Sequence, residues 1–195
     1  MSSEPYWVFA YGSLIWDPGF PFVDRHRAVV HGYHRRFCLY SHRYRGTPEL
    51  PGLVLGLDRG GCCHGVAYRI APEETANVRD YLWAREMSNN AYRPVMVPAR
   101  LNDGGRVPVQ TFVISPDHPQ YAGRLPADLT ARLIASSHGE RGSNQAYLEN
   151  TAEHLAELGI HDPAMRALVR HVRQLIAQEG TVARPPLPDV SPKGF

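Results

Sequence analysis

Three stretches of this 195-residue chain place reactive residue types at spacings that suit chemistry. The first centres on Glu86. Val78, Leu82 and Glu86 fall at i, i+4 and i+8 of a segment, Pro72 to Met87, that reads as a helix. The carboxylate therefore continues an apolar stripe at the helix's C-terminal end. Burying an unpaired charge is costly, and the negative end of the helix dipole adds to that cost. Both effects push the pKa upward, toward the range of a general base. An exposed last-turn glutamate, or one paired with Arg85 or Arg93, satisfies the same spacing.

The second stretch is "WVFAYGSLIW", residues 7–16. An apolar strand ends abruptly in Gly12-Ser13, and a second apolar pair, Leu14-Ile15, follows at once. Such a loop is either a poor hairpin turn or a backbone cradle whose amides face a ligand. Ser13 lacks the G-x-S-x-G setting of a hydrolase nucleophile. With no helix signal after the loop, dinucleotide binding is not expected. The third stretch is "GSNQAYLENT", residues 142–151, which sets Asn144, Tyr147 and Thr151 on nearly one face at a helix start. That is a natural anion site, or simple capping beside an amphipathic tyrosine.

The ten histidines fall in no metal-binding pattern, so no metal site is expected. His31 and His34, three apart in a strand, point to opposite faces. Cys38 reads as a small core residue rather than a nucleophile. The net charge of +2 is too small to imply nucleic acid. From Arg25 to Pro48, however, there are six arginines, four histidines and no acid. Arginine suits fixed, bidentate contacts to carboxylate or phosphate, so this stretch suits an anionic small molecule. Solvated strand arginines are the alternative.

The elements that must position these residues are mostly strands in the first two-thirds. Candidates are 7–11, 27–34, 36–41, 53–58, 65–70, 92–101 and 106–114, with turns at Gly60-Gly61 and Asp103-Gly104-Gly105. Pro72, Glu73 and Glu74 suit the start of the one helix among them. The last third reads as helices over 126–137, from a cap at Ser143 or Asn144 to Gly159, and from Asp162-Pro163 to Gly180. Four prolines after Thr181 predict an extended tail. The expected fold is α+β: a curled, mostly antiparallel sheet or small barrel, one inserted helix and C-terminal helices, in one domain over 1–195.

No apolar run approaches the length of a membrane span, and no signal peptide is visible. Three cysteines, two of them adjacent, make a poor disulfide framework. Cytoplasmic residence without membrane attachment is the expectation; the oligomeric state is not legible.

Taken together, "YGSLIW" (11–16), "PGF" (18–20), "RRFCLYS" (35–41), "RGTPELPGLVLGLD" (45–58), "GVAYRI" (65–70), "REM" with "AYRP" (85–94) and "GSNQAYLENTAEHLAELGI" (142–160) resemble the ChaC family of γ-glutamylcyclotransferases. The resemblance runs from about residue 8 to residue 175. It implies cofactor-free cleavage of glutathione into 5-oxoproline and cysteinylglycine, with the glutamyl α-amine attacking its own γ-carbonyl. It also implies roles by position: Tyr11, Gly12, Ser13 and Leu14 as the substrate-binding backbone loop, Glu86 as the acid–base group, and Tyr147 as a substrate contact. Other readings are a cyclotransferase for a different γ-glutamyl amine or peptide, and a catalytically inactive ligand-binding homologue, whose mark would be loss of Glu86. A fourth is an RNA-binding β-domain using the basic-aromatic stretch 33–45.

Overall fold

The computed structural model describes residues 5–87 and 90–178. The expected tail at 181–195 and the helix stop at Gly180 lie outside the described residues, as do residues 1–4. The chain forms two compact units, each assembled from two stretches. The first takes the chain through Arg36 together with Gly56–Ser115; the second takes Phe37–Leu55 and the chain from Pro116 onward.

The first five strands are β1 (Tyr6–Ala10), β2 (Asp24–Ser41), β3 (Gly52–Ile70), β4 (Tyr92–Leu101) and β5 (Arg106–Ile114); the first unit holds β1, β4, β5, β2 up to Arg36 and β3 from Gly56. They close as a barrel in the order β1-β3-β2-β4-β5. All five residues of β1 are buried, which explains its unbroken apolar run where a half-exposed strand would alternate. It pairs antiparallel with β3, Tyr6 opposite Ile70 through Ala10 opposite Val66. Its contact with β5, Val8 opposite Gln110, is parallel, and this pair completes the ring. Closure leaves no bare strand edge.

β4 and β5 match the expected limits, and the Asp103-Gly104-Gly105 turn joins them, with Leu101 N–H donating to Gly105 O at 2.8 Å. Two expectations are corrected. The segments 27–34 and 36–41 are one strand, β2, and 53–58 and 65–70 are one strand, β3. Gly60 and Gly61 do not reverse the chain. Both take positive φ, +96° and +71°, inside β3, the irregularity glycine permits in a strand. His34 Nδ1 lies 2.9 Å from Gly60 O across the pair.

Pro72–Glu74 forms a 3-10 turn that leads into α1, Thr75–Glu86. Val78 and Leu82 are fully buried, so the apolar stripe does face inward.

The second unit carries α2 (Ala127–Ser136), α3 (Asn144–Glu157) and α4 (Pro163–Gln178), with a two-residue hairpin, β6 (His138–Gly139) and β7 (Gly142–Ser143), before α3. Of the two candidate caps, Ser143 does the capping: its Oγ accepts from Ala146 N–H at 3.1 Å. Asn144 instead pins α3 to the 51–55 segment. Its side chain accepts from Leu53 N–H at 2.6 Å and donates to Leu53 O at 2.7 Å, fully buried. Asp162 caps α4 through Met165 N–H. The architecture is α+β. Among the described residues no helix is long and apolar enough to cross a membrane.

Candidate active site

The Gly12-Ser13 loop is a 3-10 turn over Ser13–Ile15. Ile15 N–H donates to Gly12 O, and the N–H groups of Trp16 and Asp17 both donate to Ser13 O. The amides of Gly12, Ser13 and Leu14 precede the first bonded amide, so the turn itself does not use them. Leu14 and Ile15 are buried at 7% and 4% exposure. Their burial keeps this backbone in dry surroundings, where amide dipoles act strongly.

Three side chains hold the loop's shape. Arg35 Nε donates to Tyr11 O at 2.6 Å. The Tyr68 hydroxyl, on β3, donates to Ile15 O at 2.9 Å and lies 3.2 Å from Leu14 O. Arg85, in the last turn of α1, donates through Nη1 to Asp17 O at 2.8 Å and through Nη2 to Ser13 Oγ at 3.1 Å. Gly19 contributes by having no side chain: its φ is +69°, and a Cβ there would overlap the Tyr81 hydroxyl.

Glu86 is the final residue of α1. Its side chain is 18% exposed, with Oε1 3.4 Å from Arg85 Nε. Of the sequence alternatives, pairing with Arg85 is therefore present, but the carboxylate is not a solvated one. Burial pushes its pKa above the ordinary glutamate value, and the Arg85 cation pulls the other way without cancelling the rise. The same guanidinium ion-pairs with Glu86 and hydrogen-bonds Ser13, which links the carboxylate to the turn.

Tyr147 lies in the second unit, 8% exposed, in the first turn of α3. Its ring meets Phe37 edge-on at 5.9 Å, and the Arg45 guanidinium lies over its face, 5.1 Å from the centroid. Arg45 Nη1 donates to Arg141 O at 2.5 Å and lies 3.4 Å from Ser143 O. Burial pulls the Arg45 pKa below the usual arginine value. Among the described residues Arg45 has no carboxylate partner. Asn144 and Thr151 do not form an anion site with Tyr147: Asn144 is committed to Leu53, and Thr151 Oγ1 donates to Tyr147 O at 2.8 Å.

Arg85, Tyr68 and Arg45 were not singled out from sequence. Arg85 carried a signal in its place beside Glu86, and Arg45 in its place within the arginine-rich stretch 25–48. Cys38 is fully buried, as a core residue should be. Among the described residues no cluster of three or more His, Cys, Asp or Glu side chains is placed to hold a metal ion.

The sequence matches the family described as ChaC-like protein over residues 6–175. It is 37% identical to the glutathione-specific gamma-glutamylcyclotransferase of Escherichia coli, across 89% of this chain and 75% of that protein. It is 32% identical to human glutathione-specific gamma-glutamylcyclotransferase 1, across 90% of this chain and 79% of that protein. Its fold superimposes on the crystal structure of the yeast gamma-glutamylcyclotransferase specific to glutathione with a TM-score of 0.79. That match has 28% identity and covers 88% of this chain and 97% of that one.

Proposed function

The chain belongs to the ChaC-like family, and from that premise we propose that it is a glutathione-specific γ-glutamylcyclotransferase working through Glu86. The reaction needs no second substrate, because nucleophile and electrophile lie in one molecule. Bending the glutamyl moiety until its α-nitrogen stands about 3 Å from the γ-carbonyl carbon can supply roughly 7–11 kcal/mol of the barrier.

An ammonium cannot attack, so a base must first take its proton. The observation that carries this reading is the Glu86 carboxylate, largely buried and raised in pKa, joined to the Ser13 turn through Arg85. Glu86 takes a proton from the α-nitrogen, the nitrogen closes on the carbonyl carbon, and the C–N bond to cysteine then breaks. Two hydrogens leave the attacking nitrogen and two arrive on the departing one. A carboxylate that accepts one and returns it is suited to each transfer, at roughly 10²–10⁴-fold. Between the two steps the γ-oxygen carries negative charge. Amides of the Gly12–Leu14 backbone are the donors proposed for it, each worth about 3–4 kcal/mol.

Tyr147 contacts the substrate in this scheme. Within the arginine-rich stretch, Arg45 is half-buried over the Tyr147 ring and, among the described residues, has no carboxylate partner, which suits an anionic group. Glutathione as substrate also fits the cytoplasmic residence expected from the sequence.

The test is incubation of the purified protein with glutathione, oxidised glutathione and γ-glutamylalanine, with mass detection of 5-oxoproline. Release from glutathione alone is expected. Equal or faster release from γ-glutamylalanine would reassign the substrate. Glu86→Gln should fold and bind glutathione yet release almost no 5-oxoproline; substantial turnover would remove Glu86 from its role.

A further inference from the structure

We propose that Arg85 is the positioning residue of this site: one guanidinium that ties the last turn of α1 to the 12–17 loop and so fixes where the Glu86 carboxylate stands relative to the loop backbone. The proposal rests on Glu86 being the acid–base group.

An arginine in the last turn of a helix ordinarily offsets the helix dipole and points to solvent. Arg85 does neither. Its side chain is 20% exposed, and two of its four contacts leave the helix for the loop. Nη1 is shared between Asp17 O and the Tyr81 hydroxyl, both at 2.8 Å. Nη2 reaches Ser13 Oγ at 3.1 Å, and Nε faces Glu86 Oε1 at 3.4 Å. These are four partners in four directions, which a planar fork of N–H groups can serve and a lysine ammonium cannot.

The grip is doubled one turn earlier on the helix. Tyr81, bonded to Arg85, packs where a side chain on Gly19 would stand, so α1 holds the loop at both 13–17 and 19. Ser13 thereby gains a role: its oxygen accepts a charged hydrogen bond that fixes the turn. The charged groups here are the Arg85 guanidinium, in contact with Glu86, and, from the loop, the Asp17 carboxylate 3.9 Å from Arg85 Nη2. The remaining titratable group is the Tyr81 hydroxyl, which accepts from Arg85.

Because one cation serves both purposes, charge and shape separate in its variants. Arg85→Met removes both. Arg85→Lys keeps the charge and loses the fork. Both should lower kcat/KM for glutathione on the order of 10²-fold, the usual cost of a small misplacement of reacting groups. Only Arg85→Met should also move the acidic limb of the kcat/KM–pH profile to higher pH, since Glu86 must be ionised to act and loses the cation that favours that form. In Arg85→Ala, added methylguanidinium should restore part of the rate and methylammonium should not. Wild-type kcat/KM in Arg85→Lys, or an unmoved acidic limb in Arg85→Met, overturns the proposal. Should Arg85→Met fold poorly by thermal melting, the Lys variant and the rescue still decide it. Glu86→Gln is measured alongside: if it is inactive while the Arg85 variants behave as wild type, the positioning role alone fails. If it turns over, the acid–base reading fails and this proposal falls with it.

Discussion

Removing one oxygen atom from Tyr68 tests whether the barrel sets the shape of the loop. The Tyr68→Phe ring should stay where it is, because Phe20 meets it edge-on at 5.6 Å and Phe22 lies 4.8 Å away, centroid to centroid. What disappears is the hydroxyl, which serves the Leu14 and Ile15 carbonyls in a buried setting and also bonds Arg25. Buried acceptors left without a donor cost about 1–3 kcal/mol. In a chain of this size each kcal/mol lowers Tm by about 2–4 °C, so a fall of about 2–12 °C is expected by calorimetry. The carbonyls of Leu14 and Ile15 also set the direction of the backbone on either side of them. Freed, the turn should lose its aim, and kcat/KM measured well below the melting transition should fall by tenfold or more, up to about 10²-fold. An unchanged Tm would mean the hydroxyl contributes nothing to folding. A lowered Tm with wild-type kcat/KM would mean that the loop reaches its working shape without the barrel, and the reasoning would be wrong.

Glu86→Gln should change stability with a definite sign. Burial raises this carboxyl above 4.5 in the native state, so the stabilisation from its protonation is complete below that pH and is lost as the pH rises through the raised value. Melting curves should therefore coincide for wild type and variant in acid and diverge on going to neutral pH, with the Gln protein ahead by about 0.5–2 kcal/mol; curves that stay parallel would contradict the burial. Tyr147→Phe should reduce kcat/KM by about tenfold, the worth of one hydrogen bond to a charged or polar group, and no change would take it out of the site. Asn144→Ala strands the Leu53 N–H and C=O at once and should destabilise the protein by about 2–5 kcal/mol in urea titration, with a loss under 1 kcal/mol refuting its role as the pin of α3.

What was legible in the sequence follows from how local each signal is. The Asp103-Gly104-Gly105 turn carries its own chemistry, Asp103 Oδ1 accepting from Gly105 N–H, so β4 and β5 could be bounded to the residue. Gly60-Gly61 carries the same local licence, positive φ at both positions, but that licence serves a hairpin or an irregular strand equally. His34 lies across this pair, 26 residues away in sequence, and a contact at that separation leaves no trace in a window of ten. Glu86 was legible because the stripe of Val78 and Leu82 points at it. Arg85 was not, because Ser13 and Asp17 lie 72 and 68 residues before it. Asn144 read as either part of an anion site or a helix cap, because the start of a helix permits both; the backbone of Leu53, which it hydrogen-bonds instead, lies 91 residues away.

If Glu86 is the base, as proposed, the opposing influences on it bear on why a glutamate beside an arginine would serve. A carboxylate buried alone keeps its proton at neutral pH and cannot accept another; one fully paired with a cation is too weak a base to take a proton from an ammonium. Burial and Arg85 act in opposite directions on the same group, with burial the larger, which leaves a base stronger than a surface glutamate and still ionisable. That balance also serves the return step, because the acid formed must give its proton to a departing nitrogen. A more exposed Glu86 would return the proton readily but take it poorly, and a more deeply buried one the reverse. Shifting the balance toward burial, by Arg85→Met, should therefore slow the reaction while moving its acidic limb to higher pH. An acidic limb that stays put in that variant would show that a group other than Glu86 titrates in it.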